Sequence, residues 1–255
     1  MPVVTLLTDF GMRDGYVGAM KGVVLSRAPA AQLVDLAHDI EPQEVRSGAW
    51  AVRQAAPLFP PGTIHVGVVD PGVGTTRRAL LFSSGGQLFV GPDNGLFAWV
   101  LRPDAQAWVL DRAELFRPEP SKTFHGRDLF ASVAGHLAAG LSVERAGTPI
   151  DAWVPLLDPA ARRDGSLVLG EVVHVDRFGN LISNIDREVL GPVVDWTVTI
   201  AGRRVGAIEE TFASVGEGEW VAYFGSTGLL EIALRNASAA SRGHGVGTAI
   251  VCRQR

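Results

Sequence analysis

Runs of apolar residues separated by polar residues divide the first 157 residues into alternating strands and helices. Short β-branched apolar runs predict strands, and apolar residues spaced three or four positions apart predict helices. The predicted strands cover residues 3–8, 32–36, 63–69, 79–82 and 88–90, and the predicted helices cover 15–26, 44–56 and 127–141. Because strands alternate with helices, residues 1–157 are expected to form an α/β domain with a mostly parallel sheet.

The pattern changes after residue 157. Residues 157–165 form a polar stretch that predicts a connector between two domains. Strand-like runs then follow at 167–175, 196–201, 219–224, 229–234 and 246–252. Few helical patterns accompany these runs, so residues 166–255 predict a smaller, mainly antiparallel all-β domain that is barrel-like.

Composition and charge exclude several classes of protein. The 255 residues are 47% hydrophobic and 20% charged, which is enough apolar material for a sizeable core. A net charge of −4 without any basic run argues against nucleic-acid binding. The apolar stretches are far shorter than the ~20 residues of a membrane span. The N-terminal segment lacks a signal-peptide pattern, so we expect a cytoplasmic protein. Cys252 is the only cysteine, which excludes an internal disulfide and a thiolate metal cluster.

Three carboxylates follow predicted strands in the first domain. Asp9, Asp70 and Asp93 each stand directly after an apolar run or within a few residues of it. Ligands of open α/β sheets bind beside the carboxyl ends of the strands, so we expect these acids to face one cleft. The alternative is that each is an ordinary turn or helix-cap residue.

Other motifs give weaker signals. His125 precedes a predicted helix in a loop with Arg127 and Asp128, where it could move protons or serve a purely structural role. The acids above, Asp14 and His125 could suit a hard divalent cation, but no metal-ligand spacing is present, so we expect no metal. Incomplete glycine loops disfavour a dinucleotide or phosphate site, and the nucleophile elbow of serine hydrolases is absent.

Seven segments, taken in order, resemble the S-adenosyl-L-methionine (SAM) hydroxide adenosyltransferases, or SAM hydrolases. This family is related to the enzymes that chlorinate or fluorinate SAM. The matching segments are LTDFG (7–11) with Asp14, YVGAMKG (16–22), VDPGVG (69–74), GPDNGL (91–96), FHGRD (124–128), DRFGN (176–180) and GSTGLLEIA (225–233). Any one segment is weak, but the ordered set extends over nearly the whole chain.

The resemblance implies an α/β domain followed by a barrel-like β domain, assembled as a homotrimer. It places the substrate between the first domain of one subunit and the second domain of its neighbour. The implied reaction is hydrolysis of SAM to adenosine and L-methionine, by attack of water or hydroxide on the ribose C5′. SAM is the substrate, and no cofactor is implied.

The resemblance also assigns residues to roles. The family's water-activating set matches Asp70, Arg77 and His125, with Arg78 as the alternative to the preferred Arg77. Asp9 matches the acid that binds the ribose diol. The remaining matches are Asp14 and Tyr16 near the ribose and methionine, Asp176 and Ser226 at the methionine end, Asn180, Phe212 and Asn236 at the adenine, and Asn94, Phe124 and Glu231 as further substrate-binding positions.

Three other functions remain open at this point. A SAM halogenase of the same fold is disfavoured, because an anion beside Asp70 would be repelled. The short turn at residues 83–87 also leaves no room for the insertion of the fluorinating members. A SAM- or nucleoside-binding module without turnover would use the same pocket. A metal-dependent hydrolase should lose its activity in EDTA.

Overall fold

The computed structural model describes residues 1–156, 160–191 and 195–254. The chain divides into two compact units, Met1–Leu156 and Leu157–Arg255. Part of the predicted connector, residues 157–159, lies outside the described residues. The connector is shorter than predicted at its other end, because Arg162–Asp164 forms a strand that pairs with the next strand of the second unit.

The first unit is an α/β structure built on a seven-stranded sheet. Its strands are β1 (Val3–Thr8), β2 (Gln32–Ala37), β3 (Ile64–Val68), β4 (Ala79–Ser84), β5 (Gln87–Pro92), β6 (Gln106–Val109) and β7 (Thr148–Ile150). They lie in the order β2-β1-β3-β5-β4-β6-β7. The first four strands in this order run parallel, while β4 and β7 run against them, so five of the seven point the same way. The prediction of a mostly parallel sheet is confirmed.

Helices cover both faces of this sheet. They are α1 (Tyr16–Arg27), α2 (Val45–Ala55), a π-helical turn (Gly126–Phe130) and α3 (Ala131–Ala138). Side chains of a strand alternate between faces. Accordingly Leu6 belongs to the core under α1 and α3, whereas Leu7 belongs to the core under α2. Two apolar layers thus hold the sheet rigid and leave its carboxyl edge to the loops.

The second unit is a mainly antiparallel β structure. Its strands are β8 (Arg162–Asp164), β9 (Leu167–Val175), β10 (Leu181–Asp186), β11 (Trp196–Ile200), β12 (Arg203–Gly206), β13 (Ile208–Glu209), β14 (Trp220–Phe224), β15 (Leu229–Leu234) and β16 (Ala249–Gln254), with one helical turn, α4 (Arg187–Leu190). The sheet order is β12-β11-β16-β9-β10-β15-β14-β13, and β8 pairs with β9. Residues of β12 also approach β14, which nearly closes the sheet into a barrel around one apolar core.

Several elements differ from the prediction. The helix expected over residues 127–141 begins as the π-helical turn and ends at Ala138. The strands β6 and β7 were not predicted, because they span only four and three residues and β7 contains Pro149. Strand β10 was not predicted either, since its polar Ser183 and Asn184 interrupt the apolar run. Short 3-10 turns lie at Ala56–Leu58, Ala113–Leu115, Val143–Arg145, Phe212–Ser214 and Ala240–Arg242.

Within residues 1–156, 160–191 and 195–254, every helix is too short or too polar to cross a membrane.

Candidate active site

An aspartate, an arginine and a histidine from three separate positions meet beyond the end of β3. Nε of Arg77 donates to Oδ1 and Oδ2 of Asp70 at 2.9 and 3.0 Å. Nη2 of Arg77 also donates to Oδ2 of Asp70. The same Nη2 lies 2.9 Å from Nδ1 of His125. The Asp70 and Arg77 side chains are only 5% and 11% exposed, so little water competes for these bonds. Arg77 therefore holds the carboxylate and the imidazole together.

The contact with Arg77 determines which nitrogen of His125 carries the hydrogen. A guanidinium has only donors, so Nδ1 must accept and the hydrogen of the neutral ring resides on Nε2. The pKa of His125 is lowered, chiefly by burial and then by the charge of Arg77, although Asp70 and Asp128 oppose this. The ring is therefore neutral at pH 7 and can donate from Nε2, while its one lone-pair nitrogen is already used.

Glycines in the loop after β3 allow this meeting. Gly74 has a φ of +78°, and a Cβ at this position would lie 2.8 Å from the carbonyl oxygen of Lys122. The loop that carries Asp70 and Arg77 can thus pack directly against the segment that carries His125. A larger residue at position 74 would separate the two.

Arg78 belongs to a different ion pair. Its Nε donates to Oδ2 of Asp93 at 2.8 Å, and its Nη2 donates to the carbonyl oxygen of Ala152. The backbone N–H of Val154 donates to Oδ1 of Asp93 at 2.7 Å. Arg77, and not Arg78, is therefore the arginine beside Asp70 and His125. Asp93 is committed to this structural pair, which corrects the expectation that all three strand-end acids face one cleft.

Asp9 and Asp70 do line the same cleft, whose volume is about 310 Å³. Phe10, Phe124 and His125 line it as well. Oδ2 of Asp9 accepts the backbone N–H of Gln43 at 2.8 Å. Gln43 adopts a left-handed backbone with a φ of 68°, which is rare for a residue other than glycine. The strained backbone thus directs an N–H at Asp9 and leaves the other carboxylate oxygen for a ligand.

Phe10 and Phe124 line one side of the cleft, and Tyr16 packs against both rings. Phe124 makes edge-to-face contacts with Phe10 at 5.8 Å and with Tyr16 at 5.3 Å between ring centroids. The guanidinium of Arg127 lies 4.8 Å from the centroid of Phe124. Phe124 also lines a neighbouring cleft of about 440 Å³ together with Tyr16. The predicted residues Tyr16 and Phe124 therefore lie beside the Asp70 site.

Asp128 fixes the segment that carries Phe124 and His125. Oδ2 of Asp128 accepts the backbone N–H of Ser121 at 2.8 Å, and Oδ1 accepts from Arg127 at 2.6 Å and from Arg117 at 3.0 Å. Burial would raise the pKa of Asp128, but the bonds from Arg127 and Ser121 outweigh burial and hold this pKa below its usual range. Asp128 thus remains ionised and clamps the segment at both ends.

Two predicted substrate residues of the first unit do not line these clefts. Asp14 is exposed in the loop before α1. Asn94 donates from Nδ2 to the carbonyl oxygen of Val69 at 2.8 Å, and its Oδ1 accepts the N–H of Leu96. The polar atoms of Asn94 therefore hold the chain after β3 and its own turn.

The second unit contains a cleft of about 680 Å³ that groups four predicted residues. Asp176, Asn180, Phe212 and Asn236 all line it, beside Tyr223. Oδ1 of Asp176 accepts the backbone N–H of Asn180 at 2.8 Å, and Oδ2 accepts from Nδ2 of Asn180 at 2.8 Å. The amide oxygen of Asn180 therefore remains available to a ligand. Phe212 is 54% exposed as a residue and its ring contacts Tyr223 edge-on, so one face of the ring can stack on a base.

The remaining predicted residues lie on or near β15. Glu231 stands opposite Tyr223 across the ladder. Burial, with a contribution from Asp176, raises the pKa of Glu231 although Tyr223 opposes this. Burial and the nearby Glu231 also raise the pKa of Tyr223. Ser226 is exposed in the turn between β14 and β15. Nδ2 of Asn236 donates to Glu217 at 2.9 Å.

Metal ligands do not cluster in the part of the chain that the structure describes: it contains no group of three or more His, Cys, Asp or Glu side chains placed to hold an ion. Of the set considered from the sequence, Asp9, Asp70 and His125 line one cleft, whereas Asp14 is exposed and Asp93 pairs with Arg78.

Sequence reasoning missed two contributors to the first cleft. The N–H of Gln43 acts through the backbone, and no side-chain motif signals it. The Asp128 clamp lies inside the FHGRD segment, where the proximity of Arg127 and Asp128 was visible but the role of Ser121 was not.

Family models match both units. The N-terminal domain of the SAM hydroxide adenosyltransferases matches residues 4–147, and the C-terminal domain of the same family matches residues 170–249.

Individual proteins are similar to this chain over nearly its whole length. A Thermus thermophilus protein named (R)-S-adenosyl-L-methionine hydrolase is 43% identical over 251 residues, covering 94% of each chain. A protein of the same name from Salinispora tropica is 36% identical, covering 94% of this chain and 92% of its own. A Nocardia brasiliensis protein named fluorinase is 31% identical, with coverage of 94% and 92%. The crystal structure of an uncharacterized conserved protein from Thermotoga maritima has a TM-score of 0.89 at 33% identity, covering 98% of this chain and 100% of that chain.

The domain matches cover more than half of the chain, and the identity to these relatives extends over nearly all of it. The chain therefore belongs to the SAM hydroxide adenosyltransferase family.

Proposed function

We propose that this chain hydrolyses SAM to adenosine and L-methionine. The observation that carries the proposal is the Asp70 carboxylate, which is held by Arg77 beside a neutral His125 in the same cleft as Asp9. The names of the T. thermophilus and S. tropica relatives support the same reaction and direct attention to the (R) epimer at sulfur.

The proposed reaction is a displacement at C5′ of the ribose. The oxygen of water forms a bond to C5′ while the bond between C5′ and sulfur breaks, and the electron pair of that bond stays on sulfur. The sulfonium thereby becomes the neutral thioether of methionine, so the leaving group needs no proton. The attacking water must lose one proton, which passes to Asp70 and then to solvent.

Asp70 is the better proton acceptor of the two candidate groups. Nδ1 of His125 is already occupied by Arg77, so this ring can only donate to the water, from Nε2. The carboxylate retains unused lone pairs in addition to those that Arg77 engages. A positioned base of this kind typically accelerates a reaction by about 10²–10⁴-fold. His125 and Arg77 orient the water and the base.

The substrate contacts follow from charge and shape. The free oxygen of Asp9 suits a vicinal diol, because a carboxylate can accept from both hydroxyls. Asp176, with Glu231 near it, suits the ammonium of the methionine part. Asn180 can accept from the amino group of adenine, while Phe212 offers a face for stacking. Asn236 lines the same cleft as Asn180 and Phe212, whereas Asp14, Asn94 and Ser226 remain predicted contacts on the family resemblance alone.

We further propose that the enzyme is a cytoplasmic homotrimer that needs neither metal nor cofactor. Light scattering should then give a mass of three times 27.1 kDa. The proposed site would combine the first unit of one subunit with the second unit of its neighbour, as in the resemblance. Fractionation of cells that express a tagged chain should recover it in the cytoplasm.

The decisive experiment is chromatography of purified protein with SAM of known epimer composition, in EDTA, with and without chloride. Asp70→Asn is compared with Asp93→Asn, a matched control that changes an arginine-paired aspartate at the same sheet edge but outside the cleft. We expect adenosine and methionine in equal amounts, unaffected by EDTA and chloride. Asp70→Asn should lower kcat by about 10²–10⁴-fold, whereas Asp93→Asn should remain active while it is folded.

Three results would contradict the proposal. A 5′-chlorinated nucleoside would indicate a halogenase, SAM retained intact would indicate a binding module, and loss of activity in EDTA would indicate a metal-dependent hydrolase.

A further inference from the structure

The loop that carries Asp9 rests on two buried side chains. Thr8, the last residue of β1, is fully buried, and its Oγ1 accepts the backbone N–H of Phe10 at 3.2 Å. The same Oγ1 lies 2.9 Å from Nδ1 of His38. The carbonyl oxygen of His38 accepts the N–H of Gly11 at 2.8 Å. Thr8 and His38 therefore hold the backbone on the C-terminal side of Asp9 at two successive amides.

The other ring nitrogen of His38 contacts Asp35. This nitrogen, Nε2, lies 3.0 Å from Oδ1 of Asp35, although the contact is not aligned as an ideal hydrogen bond. Oδ2 of Asp35 accepts from Nζ of Lys21 at 2.6 Å. Burial would raise the pKa of Asp35, but the interactions with Lys21 and His38 outweigh it and hold this pKa below the usual range. Asp35 therefore contacts Nε2 of His38 from the side of the ring opposite Thr8.

The direction of the hydrogen bond between Thr8 and His38 depends on the form of the ring. When Nδ1 of His38 carries no hydrogen, it accepts from the Thr8 hydroxyl. The lone pairs of the hydroxyl are then free for the N–H of Phe10. A hydroxyl at position 8 can therefore satisfy both neighbours, Nδ1 of His38 and the N–H of Phe10.

The chain contains an internal comparison for this pair. Thr5, also fully buried on β1, places its Oγ1 2.8 Å from Nδ1 of His65. This second pair has the same chemistry and the same strand, but it lies three residues earlier and bonds no part of the Asp9 loop. A purely structural role for buried Thr–His pairs would make the two equivalent.

We propose that Thr8 and His38 are positioning residues that keep the Asp9 carboxylate in place for the ribose diol. This inference rests on the proposed function, because it assumes that Asp9 binds the diol. The neighbouring N–H of Gln43 holds one oxygen of Asp9, while Thr8 and His38 hold the main chain that bears it. Neither residue needs to touch the substrate.

The test measures how strongly the protein distinguishes adenosine from 2′-deoxyadenosine. Calorimetry in the presence of L-methionine gives both dissociation constants for the wild type, Thr8→Val, Thr8→Ser, Thr5→Val and Asp9→Asn. A hydrogen bond to a charged group changes affinity by about tenfold to a hundredfold, so the wild type should prefer adenosine by that factor. In Thr8→Val the preference should fall to about threefold or less, because the loop loses its hydroxyl support.

The other variants make the result specific. Thr5→Val removes an equivalent bond and should keep the wild-type preference, and Thr8→Ser should restore it because the hydroxyl is present. Equal effects of Thr8→Val and Thr5→Val would overturn the positioning role. If Asp9→Asn abolishes the preference while Thr8→Val leaves it intact, the diol assignment stands and only the positioning fails. If Asp9→Asn changes nothing, the assignment of Asp9 fails and the positioning role fails with it.

Discussion

At the scale of single residues, the site depends on which atoms can still donate or accept. Arg77 engages both Asp70 and Nδ1 of His125, and this contact assigns the remaining hydrogen of the imidazole to Nε2. A protonated His125 would direct an N–H at a guanidinium that has no acceptor. The burial of the ring and the charge of Arg77 both lower its pKa, which prevents this state near neutral pH.

The pH dependence of kcat/KM should reflect this arrangement. The depressed pKa of His125 means that the neutral, active form persists as the pH falls, so activity should be lost with a midpoint below the ordinary value of 6.5. His125→Asn can still accept from Arg77 and donate to water, but it cannot titrate. We expect this variant to lose activity by up to about 100-fold through misplacement of the water, and to lack this acid limb. An acid limb that persists in the variant would assign the titration to another group.

At the scale of elements, neighbouring strands explain which acids meet. Strands β1 and β3 are parallel neighbours, so the residues that follow them, Asp9 and Asp70, emerge side by side. Strand β5 lies one position further, and its antiparallel partner β4 begins directly after Arg78. This hairpin supplies the arginine that pairs with Asp93, so that acid is used structurally.

Close packing between β3 and β5 maintains this spacing. A Cβ at Gly91 would lie 2.4 Å from the carbonyl oxygen of Gly67 on the neighbouring strand. Gly91→Ala should therefore lower the free energy of unfolding by about 2 kcal/mol or more, as overpacking does. Gly22→Ala is the control, because Gly22 is exposed within α1 and meets no atom within 4 Å. That substitution should stabilise the protein by about 0.5–1 kcal/mol. Urea unfolding measures the free energy of unfolding of both variants. Equal changes in this free energy would show that strands β3 and β5 can separate to admit the methyl group.

At the scale of the whole molecule, the predicted roles are divided between the two compact units. Asp9 and the residues proposed to activate water belong to the first unit, whereas Asn180 and Phe212 belong to the second. Under the proposed function, the residues of the second unit would come either from the same chain or from a neighbouring subunit.

Mixed oligomers distinguish these possibilities. Asp70→Ala and Asn180→Ala are each expected to inactivate the enzyme when expressed alone. If the proposed trimer shares its sites between subunits, co-expression of the two variants should restore about a quarter of wild-type activity, because a random cyclic assembly joins two intact units at that frequency. Activity of the purified mixture checks this expectation. Mixed oligomers without any activity would show that each chain completes its own site.

Secondary structure could be predicted wherever the spacing of apolar residues along the sequence is regular. Site residues could be predicted only where their side chains, and not the backbone, make the contacts. Strand β1 and helix α2 lie close to their predicted positions, because their apolar spacing is regular. The short β7, with its proline, has no such signal. The sequence motifs predicted Asp70, Arg77 and His125 as site residues, and the three side chains lie together in the structure. The assignment of Asp93 to the cleft was wrong, because no local pattern indicates that Arg78 reaches it.

The left-handed backbone at Gln43 determines which substitutions position 43 can accept during evolution. Because the main chain supplies the N–H to Asp9, the contact itself places no demand on the side chain at this position. Substitutions that favour a left-handed conformation, such as glycine or asparagine, can accumulate here without loss of the contact. Position 43 is therefore suited to directed evolution, where glycine or asparagine can change the lining of the cleft while the N–H contact to Asp9 is retained.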